Sequence, residues 1–133
     1  MRIHESLGEG WQSVVGNASK PWDRKLVRAW LNSRFEAARL DQAAADKRGY
    51  EARDDYDQAA AREWVCRTLM TAECVDDQAA FATRLKDLLG QDEYPITGIY
   101  DDRRFERHVR AELRKLTRMT KANDGFENRS RYQ

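Results

Sequence analysis

The chain has 133 residues and carries 24 basic and 23 acidic side chains, for a formal net charge of +1. A chain of this length is expected to form one domain and to bury a core without disulfides or metals. The near-neutral charge gives the chain as a whole no general affinity for polyanions. No apolar stretch approaches the ~18 residues of a membrane-spanning helix, so no membrane association is expected.

The two cysteines, Cys66 and Cys74, lie eight positions apart in a segment that is predicted to be helical. That separation is about 12 Å of rise along one helix, which is too long for a disulfide bond. The N-terminal residues 1–5 lack the hydrophobic segment of a signal peptide. The sequence therefore predicts a cytoplasmic protein with reduced thiols.

Frequent alanine, scarce valine and isoleucine, and apolar residues at helical spacing predict an all-α fold. Residues 5–16 combine this spacing with several glycines, which indicates a short helix or an arm. Ser19 or Lys20 is expected to cap a first long helix over about 21–47. Gly49 is expected to end that helix.

Three further helices are expected over about residues 51–74, 77–90 and 101–121. Asp76 or Asp77 can cap the third helix, and Asp101 can cap the fourth. Residues 1–121 are thus predicted to form one small four-helix, bundle-like domain with an N-terminal arm. Residues 122–133 are polar and without periodicity, and are predicted to form a polar C-terminal tail outside the helix.

The fourth predicted helix has a basic face and an apolar face whose centres lie roughly 150° apart. Glu106 and Glu112 point toward the apolar side. Basic side chains three or four residues apart can contact successive phosphates of a nucleic acid, and two arginines of the tail can extend this surface. The candidate anion-binding residues are Arg103, Arg107, Arg110, Arg114, Arg118, Lys121, Arg129 and Arg131.

The basic face is also compatible with a solvated helix surface, or with packing against the chain's own acidic segment. Residues 41–78 hold ten acidic and five basic side chains. This acidic segment is a candidate contact for a protein partner as well, as is a tryptophan in the glycine-rich arm. The candidate partner-contact residues are Trp11, Asp54, Asp55, Asp57 and Tyr132.

The sequence offers little support for catalysis or metal binding. His108 and Glu112 lie one helical turn apart and can share a metal ion, but no pattern supplies a third ligand. The adjacent acids Asp54 and Asp55 point about 100° apart on a helix and cannot easily share a cation. The ten residues between the third and fourth helices are too many for a helix–turn–helix motif. No catalytic residue, metal site or cofactor is predicted.

The sequence therefore favours a small non-enzymatic accessory or regulatory protein. It would bind the backbone of DNA or RNA, or a nucleoprotein complex, through the basic helix face. One alternative is a regulator or inhibitor, of the kind found on phages and mobile elements, that binds a host protein. Another is a subunit of a homo-oligomer whose second copy completes a thin core.

Overall fold

The computed structural model describes residues 22–70, 73–95 and 97–132, with side chains described as far as residue 120. These ranges contain helices and no strand, which confirms the all-α prediction for them. None of the described helices is long and apolar enough to cross a membrane. The elements are α1 (Arg24–Arg48), a 3₁₀ helix (Gly49–Ala52), α2 (Arg53–Met70), a 3₁₀ helix (Glu73–Asp76), α3 (Gln78–Leu89) and α4 (Asp102–Tyr132).

Helix α1 begins later than its predicted start at residue 21, because Asp23 supplies the cap. The Asp23 carboxylate accepts hydrogen bonds from the backbone N–H groups of Lys25 and Leu26. Such a carboxylate satisfies donors that the first turn of a helix leaves without partners. The expected cap at Ser19 or Lys20 and the arm over residues 5–16 lie outside the described residues. Gly49 has a φ of 82° and ends α1, as predicted.

Helix α2 is shorter at both ends than the predicted helix over 51–74. Its first two predicted residues belong to the 3₁₀ helix that joins α1 to α2, and it ends at Met70. Cys74 therefore lies on the next 3₁₀ helix and does not share a helix with Cys66. Val75 of this 3₁₀ helix is fully buried, and its carbonyl accepts a hydrogen bond of 2.8 Å from the Trp22 indole.

The ends of α3 and the start of α4 carry the local signals that the sequence predicted. The Asp77 carboxylate accepts from the Ala80 N–H at 2.7 Å, and Gly90 follows the last residue of α3. The Asp101 carboxylate accepts from the Arg104 N–H at 2.9 Å, at the first turn of α4. Each of these acids satisfies a backbone donor at a helix start.

Helix α4 continues through Tyr132, which corrects the prediction that it ends near residue 121 and leaves a non-helical tail. The sequence after Pro95 contains no further proline, so nothing breaks the hydrogen-bond ladder outright. Gly125 costs only about 1 kcal/mol in a helix interior. Polar composition alone was therefore a poor guide to where this helix ends.

The core lies where the apolar faces of all four helices meet. Phe105, Val109, Leu113 and Leu116 on the apolar face of α4 are buried in this core. Trp22, Trp30, Trp64 and Met119 pack against it as partly buried residues. The Trp22 and Phe81 rings lie 5.4 Å apart and fasten the start of α1 to α3. The largest fully buried side chains are Phe81, Leu31, Leu69, Leu85, Leu88, Leu113 and Leu116.

Two leucines on α1 provide a matched test of this packing. Leu31 is fully buried, whereas Leu40 is 72% exposed. We expect Leu31→Ala to lower the free energy of unfolding by about 2–5 kcal/mol, because it removes buried methyl groups and leaves a cavity. Leu40→Ala is expected to change it by no more than about 0.5 kcal/mol. Urea denaturation followed by tryptophan fluorescence measures both, and equal losses would contradict the fold.

Candidate functional site

A buried carboxylate sets the position of α4 against the rest of the domain. Glu112 accepts a hydrogen bond from Arg34 of α1 through its Oε1 atom, and its Oε2 lies 3.7 Å from Nε of Arg62 on α2. The three side chains are only 6%, 10% and 15% exposed, respectively. The Arg34 guanidinium also lies 5.1 Å from the centre of the Trp30 ring. One residue from each of three helices therefore meets in a low-dielectric environment, which we call the buried ionic cluster.

His108 and Glu112 of α4, which lie one helical turn apart, contact different side chains of α1 and α2. Glu112 is occupied by two guanidinium groups, and His108 turns to Asp54, with 3.0 Å between Nε2 and Oδ1. The described part of the chain brings no three metal-binding side chains together. The two side chains therefore make separate contacts, His108 with α2 and Glu112 with both α1 and α2.

Cys66 lies beside the buried ionic cluster and is fully buried. Burial raises the pKa of its thiol to about 12, although the positive charge of Arg34 acts in the opposite direction. Burial also raises the pKa of the Cys74 thiol. Because the thiolate is the nucleophilic form, neither cysteine is suited to nucleophilic catalysis near neutral pH.

A second buried carboxylate fixes the first turn of α4. Asp57 of α2 accepts hydrogen bonds from the backbone N–H groups of Tyr100 and Asp101, at 2.8 and 3.1 Å. It also accepts from Nη1 of Arg104 at 3.3 Å. Asp57 is fully buried, so its prediction as a partner-contact residue was wrong. The reason is its register, because it lies one helical turn before Ala61 on the buried face of α2.

The remaining two acids among the predicted partner-contact residues are exposed, but both form ion pairs within the protein. Asp55 forms an ion pair with Arg48 at 3.2 Å. Asp54 contacts His108 and lies 3.6 Å from Nε of Arg104. The hydrogen bond from His108 is the main cause that lowers the pKa of Asp54, and the charges of Arg104 and Arg107 act in the same direction. Part of α4 therefore does pack on the acidic segment, through Arg104 and His108.

Four arginines of the predicted basic face remain open to solvent. Arg103, Arg107, Arg114 and Arg118 are exposed, and none forms an ion pair with another described residue. At 100° per residue they fall within an arc of about 60° on α4, and they span about 22 Å along its axis. We call these four residues the arginine face.

Arg110 belongs to the predicted anion-binding residues, but its side chain contacts other residues of the protein. Its guanidinium donates to the Gln91 carbonyl at 3.3 Å, lies 5.1 Å from the centre of the Tyr94 ring and pairs with Glu106 at 3.7 Å. Its side chain is 28% exposed. The side chains of five further predicted site residues lie outside the described part of the structure: Trp11, Lys121, Arg129, Arg131 and Tyr132.

Comparison with known proteins adds no assignment to this geometry. No family model, curated protein or solved structure matches the chain.

The buried ionic cluster predicts a large loss of stability when its carboxylate is neutralised. In Glu112→Gln, two guanidinium groups remain buried without a counter-charge, so we expect a loss of about 3–5 kcal/mol in the free energy of unfolding. Glu36→Gln, at an exposed position of α1, is the matched control and should change it by no more than about 0.5 kcal/mol. Similar urea transitions for the two variants would show that the ionic cluster contributes little.

The contact between Asp54 and His108 predicts a dependence of stability on acid. The folded pKa of Asp54 lies below its ordinary value of 3.8. The ionised Asp54 carboxylate therefore stabilises the fold at pH values above its ordinary pKa, and this stabilisation is lost as the pH falls through the folded pKa. We expect the free energy of unfolding to fall less steeply below about pH 4 in Asp54→Asn than in the parent. Asp55→Asn is the neighbouring control, and identical acid limbs for parent and Asp54→Asn would refute the linkage.

Proposed function

We propose that this protein binds the phosphate backbone of nucleic acid, or of a nucleoprotein complex, through the arginine face. The observation that carries the proposal is the division of charge on α4. Arg104, His108 and Arg110 contact acids or carbonyls of the protein itself, whereas the four arginines of the arginine face have no described acidic partner. A row of exposed guanidinium groups with no acid between them attracts polyanions strongly.

The spacing along the arginine face suits a phosphate backbone. Guanidinium groups form paired, charge-assisted hydrogen bonds with phosphate oxygens. A length of about 22 Å corresponds to roughly six nucleotides of one strand at 3.4 Å each. Contacts of this kind position a nucleic acid without reading its bases, so binding should depend steeply on salt and little on sequence.

The proposal describes a cytoplasmic, non-enzymatic accessory or regulatory protein without a cofactor. The raised pKa values of both thiols argue against a cysteine nucleophile. The predicted scaffold is a four-helix, bundle-like domain with an N-terminal arm and a polar C-terminal extension. The acidic segment offers less to a protein partner than its composition indicated, because Asp57 is buried and Asp54 and Asp55 are paired.

The test is fluorescence anisotropy of labelled DNA and RNA, single-stranded and duplex, titrated at several salt concentrations. The variant combines Arg114→Gln with Arg118→Gln, which removes two phosphate contacts without touching the buried ionic cluster. Each lost contact should reduce the slope of log K against log salt by about 0.7–0.9, so the double variant should lose about 1.5. Its affinity should fall accordingly at every salt concentration.

The matched control combines Lys25→Gln with Lys47→Gln, at two exposed positions of α1. It removes the same charge from another surface, so its slope should stay close to that of the parent. Absence of binding at low salt, or equal slopes for the two double variants, would refute the proposal. A pull-down for a protein partner would then be the next experiment.

A further inference from the structure

An exposed tyrosine cluster lies at the N-terminal end of α4, where the arginine face begins. Tyr50 is 69% exposed and Tyr100 is 43% exposed, and their ring centres lie 6.2 Å apart. The Tyr56 ring meets Tyr100 edge-on at 5.3 Å. Tyr50 and Tyr100 come from different parts of the chain, and the fold brings the two exposed rings together on one surface with their planes at 72°. One face of the Tyr50 ring carries the Arg53 guanidinium. We call Tyr50 and Tyr100 the tyrosine platform.

The tyrosine platform is held in place by contacts on both sides. The buried carboxylate of Asp57 accepts a hydrogen bond from the backbone N–H of Tyr100, which fixes the backbone position of Tyr100. The Arg53 guanidinium lies 4.1 Å from the centre of the Tyr50 ring and donates to the Tyr50 carbonyl at 3.1 Å. Rings held in this way lose little conformational entropy when a ligand binds, which favours binding.

Both acidic and basic side chains lie around the tyrosine platform. The nearby acids Asp54, Asp55 and Asp57 are each engaged by a basic side chain. Arg107 is exposed one helical turn after Arg103. Arg103 follows Tyr100 by three residues and is exposed. The arginine face therefore begins three residues after Tyr100, while the exposed acids Glu51, Asp101 and Asp102 lie next to the two tyrosines in the sequence.

We propose that the ligand of this surface is single-stranded nucleic acid, with bases stacked on Tyr50 and Tyr100 and the backbone on the arginine face. The bases of a duplex are stacked inside the helix and cannot cover an aromatic ring, whereas the bases of a single strand can. Aromatic rings beside a positively charged groove are the usual means of binding single strands without sequence preference. This inference rests on the proposed function and adds a strand preference to it.

The test compares three labelled ligands in the same anisotropy assay. They are oligothymidylate of about 12 nucleotides, an abasic sugar–phosphate oligomer of the same length, and a duplex of the same length. The variant is Tyr50→Ala, because this side chain is the more exposed and contributes less to packing. Tyr50→Phe, which keeps the ring, is the matched control.

Tyr50→Ala should weaken oligothymidylate binding by about 5- to 100-fold, the effect of losing one stacked base. It should leave the abasic oligomer and the duplex within about twofold of the parent, and Tyr50→Phe should resemble the parent with all three ligands. Urea transitions of the two variants that match the parent's would exclude an effect of folding.

Each contrary outcome decides against one proposal or both. If the parent binds oligothymidylate and Tyr50→Ala binds it equally well, the tyrosine platform is overturned and the arginine face stands. The same conclusion follows if the parent binds the abasic oligomer or the duplex as tightly as oligothymidylate. If the parent binds none of the three ligands, both proposals fail, and the platform is then better suited to a protein partner.

Discussion

The carboxylate of Glu112, enclosed between Arg34 and Arg62, is the constraint on which the rest of the structure depends. Two charges from α1 and α2 converge on one charge from α4, and removal of water makes each attraction strong and each unpaired group costly. The rotation of α4 about its own axis is therefore fixed at this level. With Glu112 turned inward, the apolar residues beside it enter the core and the arginine face turns to solvent.

The division of charge follows from that rotation. Asp57 and Asp54 of α2 lie toward α4 and bind Arg104 and His108, which are the basic groups on the near side of α4. The four arginines of the arginine face, on the far side, form no ion pair with another described residue. The result is a domain of almost no net charge with one strongly positive helix face, which no global measure of charge reveals.

Local chemistry made much of the fold predictable, and long-range contacts made the rest inaccessible. Gly49, Asp77 and Asp101 act on backbone groups within four residues, so the sequence around them suffices to place helix ends. Glu112 was visible as an acid on an apolar face, but its partners lie on other helices. Burial of Asp57 depends on the backbone of Tyr100, more than 40 positions away. The tyrosine platform belongs to no periodic pattern, so no spacing rule could find it.

The buried ionic cluster also limits which substitutions the fold can tolerate. A single substitution at Glu112, Arg34 or Arg62 leaves charge without compensation inside the domain, so the three positions are energetically coupled and should change together among relatives. Even lysine is a poor substitute for the arginine at position 34, because a point charge cannot reproduce the planar guanidinium that meets both a carboxylate and an indole ring. Relatives whose surface residues have diverged should therefore still show coordinated changes at these three positions.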